Sequence, residues 1–120
     1  MCGFTRLKIT ESARVDLDQF EILRRELGSS GAERQVGRDV EEIGDRIALA
    51  WAAYYDDDKP GIASTVQPLA KIAVRTGWSS LARVSLDVKT TAQAGDGPGL
   101  AATLERLTRL FETALGDARE

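Results

Sequence analysis

The sequence predicts an all-α fold, an antiparallel up-down-up-down four-helix bundle with a short N-terminal capping helix. Apolar residues recur at steps of three and four through several long segments, the period of amphipathic helices. Those segments are separated by brief turns rich in Gly, Pro and Asp, and short connections force successive helices to run antiparallel. The 120 residues, 42% hydrophobic and 29% charged, have the length and composition of one globular core. The expected organisation is an N-terminal extension over 1–14, a bundle domain over 15–116 and a tail over 117–120.

The first helix is read from Asp16 as N-cap, Gln19 closing a capping box and Val15 stapled against Phe20. Phe20, Leu23 and Leu27 share one face, Gly28 takes the left-handed position that ends a helix, and Ser29, Ser30 and Gly31 make the turn. From Glu33 to about Tyr55 a long helix carries Val36, Val40, Ile43, Ile47, Ala50, Trp51 and Tyr54 on its apolar stripe. Gly37 and Gly44 interrupt it, at about 1 kcal/mol each against alanine, so packing must supply its stability. Asp56, Asp57 and Asp58 form a solvated turn, with Asp58 or Lys59 placing Pro60 at the start of the next helix.

That next helix shows Ile62, Val66, Leu69, Ile72 and Ala73 and ends near Gly77. Pro68 removes one backbone hydrogen bond, so the helix either kinks there or starts there. Ser79 or Ser80 caps a further helix with Leu81, Val84, Val88 and Ala92 inside, ending in the turn from Ala94 to Gly99. Leu100, Leu104, Leu107, Phe111 and Leu115, flanked by Leu110, form the last stripe, which Gly116 ends. Near the N-terminus, Thr5, Leu7 and Ile9 alternate with polar residues and suggest a short extended clamp.

The chemistry available is narrow. The chain has no histidine and one cysteine, Cys2, so imidazole catalysis, an internal disulfide and a cysteine zinc cluster are excluded. No serine stands beside a base in sequence, and the glycines from Gly95 to Gly99 lack the Lys and Ser/Thr of a phosphate loop. The three adjacent aspartates lack the alternating ligands and closing glutamate of a calcium loop. Neither an enzyme nor a cofactor or metal site is expected. A net charge of -3 with interleaved signs speaks against nucleic acid. The stretch from Ile47 to Tyr55 is far short of the roughly 20 apolar residues that span a bilayer. With no apolar signal core at the N-terminus, the cytoplasm is the expected location.

One surface departs from ordinary solvated helix. With Ile62, Val66, Leu69 and Ala73 turned inward, Gln67 falls on the opposite side of its helix, among Ala63, Ser64, Ala70, Lys71 and Val74. A small, weakly apolar, nearly charge-free patch suits close docking of a partner, though a plain alanine-rich face has the same composition.

In the order of its parts, the segment from Val15 to Leu115 resembles the histidine-containing phosphotransfer (Hpt) domain of bacterial phosphorelays. The family pattern is Ala or Val, the phospho-accepting histidine, any residue, Leu, Lys, Gly, and a glycine ten after the histidine. Val66, Leu69 and Gly77 fit that frame. At its centre the sequence departs: Gln67 stands at the histidine, Pro68 follows, Ala70 replaces the lysine and Lys71 the glycine. A carboxamide does not accept a phosphoryl group as imidazole does, so the resemblance implies a degenerate member without phosphorelay activity. Gln67→His alone is not expected to restore transfer.

The resemblance implies binding of a response-regulator receiver domain or a histidine kinase without phosphotransfer, as inhibitor, scaffold or decoy, through the Gln67 face. The alternative is a helical-bundle adaptor or homodimerising protein whose contact lies elsewhere, for instance at Trp78 or Trp51. The sequence does not specify an oligomeric state.

Overall fold

A computed structural model describes residues 17–119, with side chains over 21–116. The chain forms α1 (Leu17–Tyr55), α2 (Lys59–Arg75), α3 (Ser79–Ala94) and α4 (Gly97–Arg119). Each packs on the next and α4 returns to α1, whereas the diagonal pairs make no close backbone approach, as in an antiparallel four-helix bundle. The expected extension over 1–14, the Val15 staple and the Asp16 cap lie outside the described residues.

The capping helix and the first bundle helix are joined. Gly28, at φ 77 and ψ 168, breaks α1, a backbone angle that glycine adopts without a Cβ penalty. The helix restarts at once, so Ser29, Ser30 and Gly31 are helical and not a turn. Leu23 is buried but Leu27 is nearly half exposed, so the expected face of the first segment is narrower. At the other end α4 continues three residues past Gly116.

The apolar stripes become one core. Ile43, Ile47, Ala50, Ile62, Val66, Leu69, Leu81, Val84, Val88, Leu100, Leu104 and Leu107 are all buried in a single cluster. Burying each large aliphatic side chain contributes about 1.5–3 kcal/mol, which offsets Gly37 and Gly44 within α1. Polar groups inside are satisfied locally: the Ser85 hydroxyl donates to Leu81 O at 2.8 Å and Thr76 to Ile72 O at 2.9 Å. Asp39, 2% exposed, accepts from Arg75 Nη2 at 2.6 Å and Gln35 Nε2 at 2.9 Å, tying α1 to the end of α2. That hydrogen bond is the main reason the Arg75 guanidinium holds its proton more tightly than usual.

Beneath the bundle lies an internal repeat with an offset of 38 residues. Asp58-Lys59-Pro60-Gly61-Ile62-Ala63 opens α2, and Asp96-Gly97-Pro98-Gly99-Leu100-Ala101 opens α4. The turns match bond for bond. Asp57 N donates to Tyr54 O and Asp58 N to Ala53 O; at the second turn Gly95 N donates to Ala92 O and Asp96 N to Thr91 O. Asp57 and Gly95 both take positive φ, 57 and 73. Each aspartate then caps its helix, Asp58 Oδ1 accepting from Gly61 N and Asp96 Oδ1 from Gly99 N, both at 3.0 Å. A methyl group at Gly61 or Gly99 would run into that carboxylate, which explains the glycine. Buried residues repeat too, pairing Ile43 with Leu81, Ala50 with Val88, Val66 with Leu104 and Leu69 with Leu107. The end of α1 with α2, and α3 with α4, are two versions of one helical hairpin.

Candidate functional site: the outer face of the second helix

Helix α2 starts at the Asp58 cap and runs through Pro68 with helical backbone angles to Arg75, so the proline neither starts nor breaks it. Pro68 has no N–H to give the carbonyl one turn back. At the adjacent carbonyl, Thr65 O, Arg46 Nη1 of α1 donates at 3.3 Å while its Nε holds Glu42 at 3.0 Å. The α1 guanidinium thus braces α2 beside the proline. Trp78, not Ser79 or Ser80, occupies the N-cap position of α3, with no side-chain cap bond.

Gln67 is exposed at the middle of this continuous helix, as expected, with Ser64 and Lys71 beside it. Val74 is 57% exposed. Ala63 and Ala70 do not join them, being 9% and 6% exposed. The helical wheel placed them outward, but α2 is flanked by both α1 and α3, and two flanking helices bury a wider arc than one core-facing stripe. Ser64, Gln67, Lys71 and Val74, spaced three, four and three, remain as a narrow open seam. Continuity through Pro68 means that Gln67 lies inside the helix and not at its start; the replaced positions 70 and 71 still separate this site from the phosphotransfer pattern.

A groove of about 580 Å³ runs along one side of the seam, between the first half of α2 and the end of α3. Ala63 and Ala92 lie at its base as buried residues, while Ser64, Gln67 and Gln93 are exposed along it and Lys59 stands at its mouth. Lys59 Nζ is paired with Asp57 Oδ1 at 3.1 Å. Over α2 and α3 the chain carries Lys59, Lys71, Arg75, Arg83 and Lys89 against one acid, Asp87.

The repeat supplies an internal control for this surface. Advancing 38 residues, Ser64, Gln67, Pro68, Lys71 and Val74 correspond to Ala102, Glu105, Arg106, Arg109 and Glu112, on the same backbone frame in α4. These five are all exposed, as are their α2 counterparts apart from the half-buried Pro68. The α4 version is an ordinary solvated face of alternating charge, whereas the α2 version has shed all but one charge.

Of the two tryptophans named as alternative contacts, Trp78 is buried and Trp51 is half-buried against the core. Trp78 is 3% exposed and meets Phe111 edge to face at 6.4 Å, and Trp51 Nε1 donates to Thr108 Oγ1 at 2.9 Å. Among the described residues no group of His, Cys, Asp or Glu is arranged to hold a metal ion, and no helix is long and apolar enough to cross a membrane. Compared with known protein families, curated proteins and solved structures, the chain matches none of them.

Proposed function

We propose that the chain is a degenerate Hpt-like docking module that binds a receiver domain or a histidine kinase through the Gln67 seam without accepting phosphate. The observation that carries this reading is the exposure of Gln67 midway along an unbroken second helix of a four-helix bundle. The charge-poor α2 seam, set against its charged counterpart on α4, supports protein docking there rather than solvation. Glutamine offers a donor and an acceptor to a partner's polar pocket, and Lys71 a cation. With no nucleophile at position 67, the module would compete for or hold its partner, as inhibitor, scaffold or decoy in the cytoplasm.

Retention of purified receiver and kinase dimerisation domains by the immobilised chain tests it. Binding by the parent, at least tenfold weakened by Gln67→Arg and unchanged by Glu105→Gln, is the expected pattern. Absence of any such binding, or equal sensitivity at 67 and 105, contradicts it. A second reading, a helical adaptor or homodimer, is favoured by the exposed Leu49, Leu86 and Tyr55. Sedimentation equilibrium separates the two: a stable dimer weakened at Leu49 or Leu86 and indifferent to Gln67 supports the second.

A further inference from the structure

The groove between α2 and α3 has a counterpart under the 38-residue offset. Its wall residues Ala92, Gln93 and Gly95 correspond to Tyr54, Tyr55 and Asp57, and Lys59 to Gly97. Tyr54, Tyr55, Asp57 and Gly97, with Lys59, Ile62 and Leu100, line a second groove where the end of α1 and the first turns of α2 and α4 meet. The two grooves share these four positions around the same turn, whereas Pro98, Ala101, Ala102 and Glu105, the counterparts of Pro60, Ala63, Ser64 and Gln67, do not line the second. They differ in what furnishes them. In the α1–α4 groove Tyr54 packs half-buried against the core and meets Trp51 edge to face at 5.5 Å, and about 310 Å³ remains open. In the α2–α3 groove alanine and glutamine stand in place of the two rings, and about 580 Å³ is open.

From this juxtaposition we infer that the α2–α3 groove is a receptor for an aromatic side chain carried on an acidic segment of a protein partner. The ring is argued from the frame, which houses tyrosine in its other copy. The buried methyl groups of Ala63 and Ala92 supply an apolar base, and the amides of Gln67 and Gln93 can hydrogen-bond a phenolic hydroxyl. The acidic flanks are argued from charge complementarity. No acid lines the groove; the nearby Asp58 and Asp96 carboxylates are committed to backbone N–H groups of their own helices. Lys59 at the mouth is paired with Asp57, so the cations open to a partner are Lys71, one turn beyond Gln67, and Lys89, one turn before Gln93. Lys71 and Lys89 make no ion pair among the described residues. The inference deepens the docking proposal and rests on it in one respect, that this side of the bundle meets a protein.

The test is an amide NMR titration of the full chain with the acetylated, amidated pentapeptide of sequence DEYED, its alanine-centred analogue DEAED, and a lysine-flanked KKYKK peptide. Saturable shifts at Ala63, Ser64, Gln93 and Gly95 with DEYED are expected, at least fivefold weaker for DEAED and for KKYKK, and weakened at high salt. Gln93→Trp, which places a ring over the groove from an exposed position on α3 outside the Gln67 seam, is expected to abolish those shifts with an unchanged melting temperature. Equal affinity for DEAED, shifts centred elsewhere, or full binding by Gln93→Trp would overturn the inference. A receiver domain bound normally by Gln93→Trp would remove the groove alone and leave the Gln67 seam standing. DEYED binding in the groove, with no receiver or kinase bound, would remove the signalling reading and leave the groove.

Discussion

The two seams that close this bundle are built from opposite materials. Beside their larger core residues, α2 and α3 bury small side chains, Ala63, Ala70 and Ala73 on one helix and Ala82, Ser85 and Ala92 on the other. These helices make the most close backbone approaches in the molecule, as expected where interaxial distance follows side-chain size. Between α1 and α4 stand half-buried rings, Trp51, Tyr54 and Phe111, and the backbones approach least. Since both seams are generated by one repeated hairpin, the difference lies in the side chains. The ring-filled seam uses its aromatic residues for internal packing. The small-residue seam leaves an unfurnished groove beside a helix face with a single charge, Lys71, and that is the side on which the docking proposal rests.

The largest way to break this contrast is to remove a ring. Phe111 packs over Gly44, with a Cβ at that glycine falling 3.3 Å from the ring, and edge-on to Trp78. Phe111→Ala is expected to cost about 3 kcal/mol, the low end for a truncated Phe because the side chain is half-buried. Chemical denaturation reads this, and a loss under 1 kcal/mol would mean that rings do not hold the α1–α4 seam.

Next comes overfilling the tight seam. Ala73→Leu inserts three carbons where Ala73 is fully buried and should cost about 2 kcal/mol. A neutral result in the same denaturation series would show slack between α2 and α3. The repeat itself is sharpened by a matched pair, Gly61→Ala and Gly99→Ala, each pushing a methyl into its capping aspartate. Each should lose about 1 kcal/mol. Losses differing by more than a factor of two would argue that the caps are equivalent in shape but not in energy.

The smallest expected effect exchanges the turns. Asp57 holds φ 57 where its counterpart is Gly95, so Asp57→Gly should raise stability by about 0.5–1 kcal/mol by relieving the left-handed backbone. Loss of its surface pairing with Lys59 subtracts little. A lower melting temperature would contradict the assignment of strain.

Much of the architecture was legible because period and punctuation agreed. The stripes through Ile43, Ile62, Leu81 and Leu100 and the turns before Pro60 and from Ala94 to Gly99 used local rules that tertiary packing did not override. Ser29, Ser30 and Gly31 misled because turn chemistry suggests a loop, while Gly28 alone absorbs the change of direction. Ala63 and Ala70 misled because a helical wheel knows one core direction and not the flanking helices. Asp39 is a charge buried at the edge of the apolar stripe, made tolerable by Arg75 36 residues away, and no local pattern announces such a partner. The repeated Asp-x-Pro-Gly was present in the sequence; as turn punctuation each copy was read separately, and only the identical hydrogen bonds expose them as one device. Gln67 itself was placed correctly, since its position opposite Leu69 and Val66 depends on helix geometry alone.

Amide NMR mapping of a bound receiver domain on the labelled chain tests the docking seam most directly. The account predicts shifts concentrated at Ser64, Gln67, Lys71 and Val74, with Glu105 and Arg109 on the equivalent α4 frame unmoved. Shifts centred on α4, or spread evenly over both helices, would contradict it.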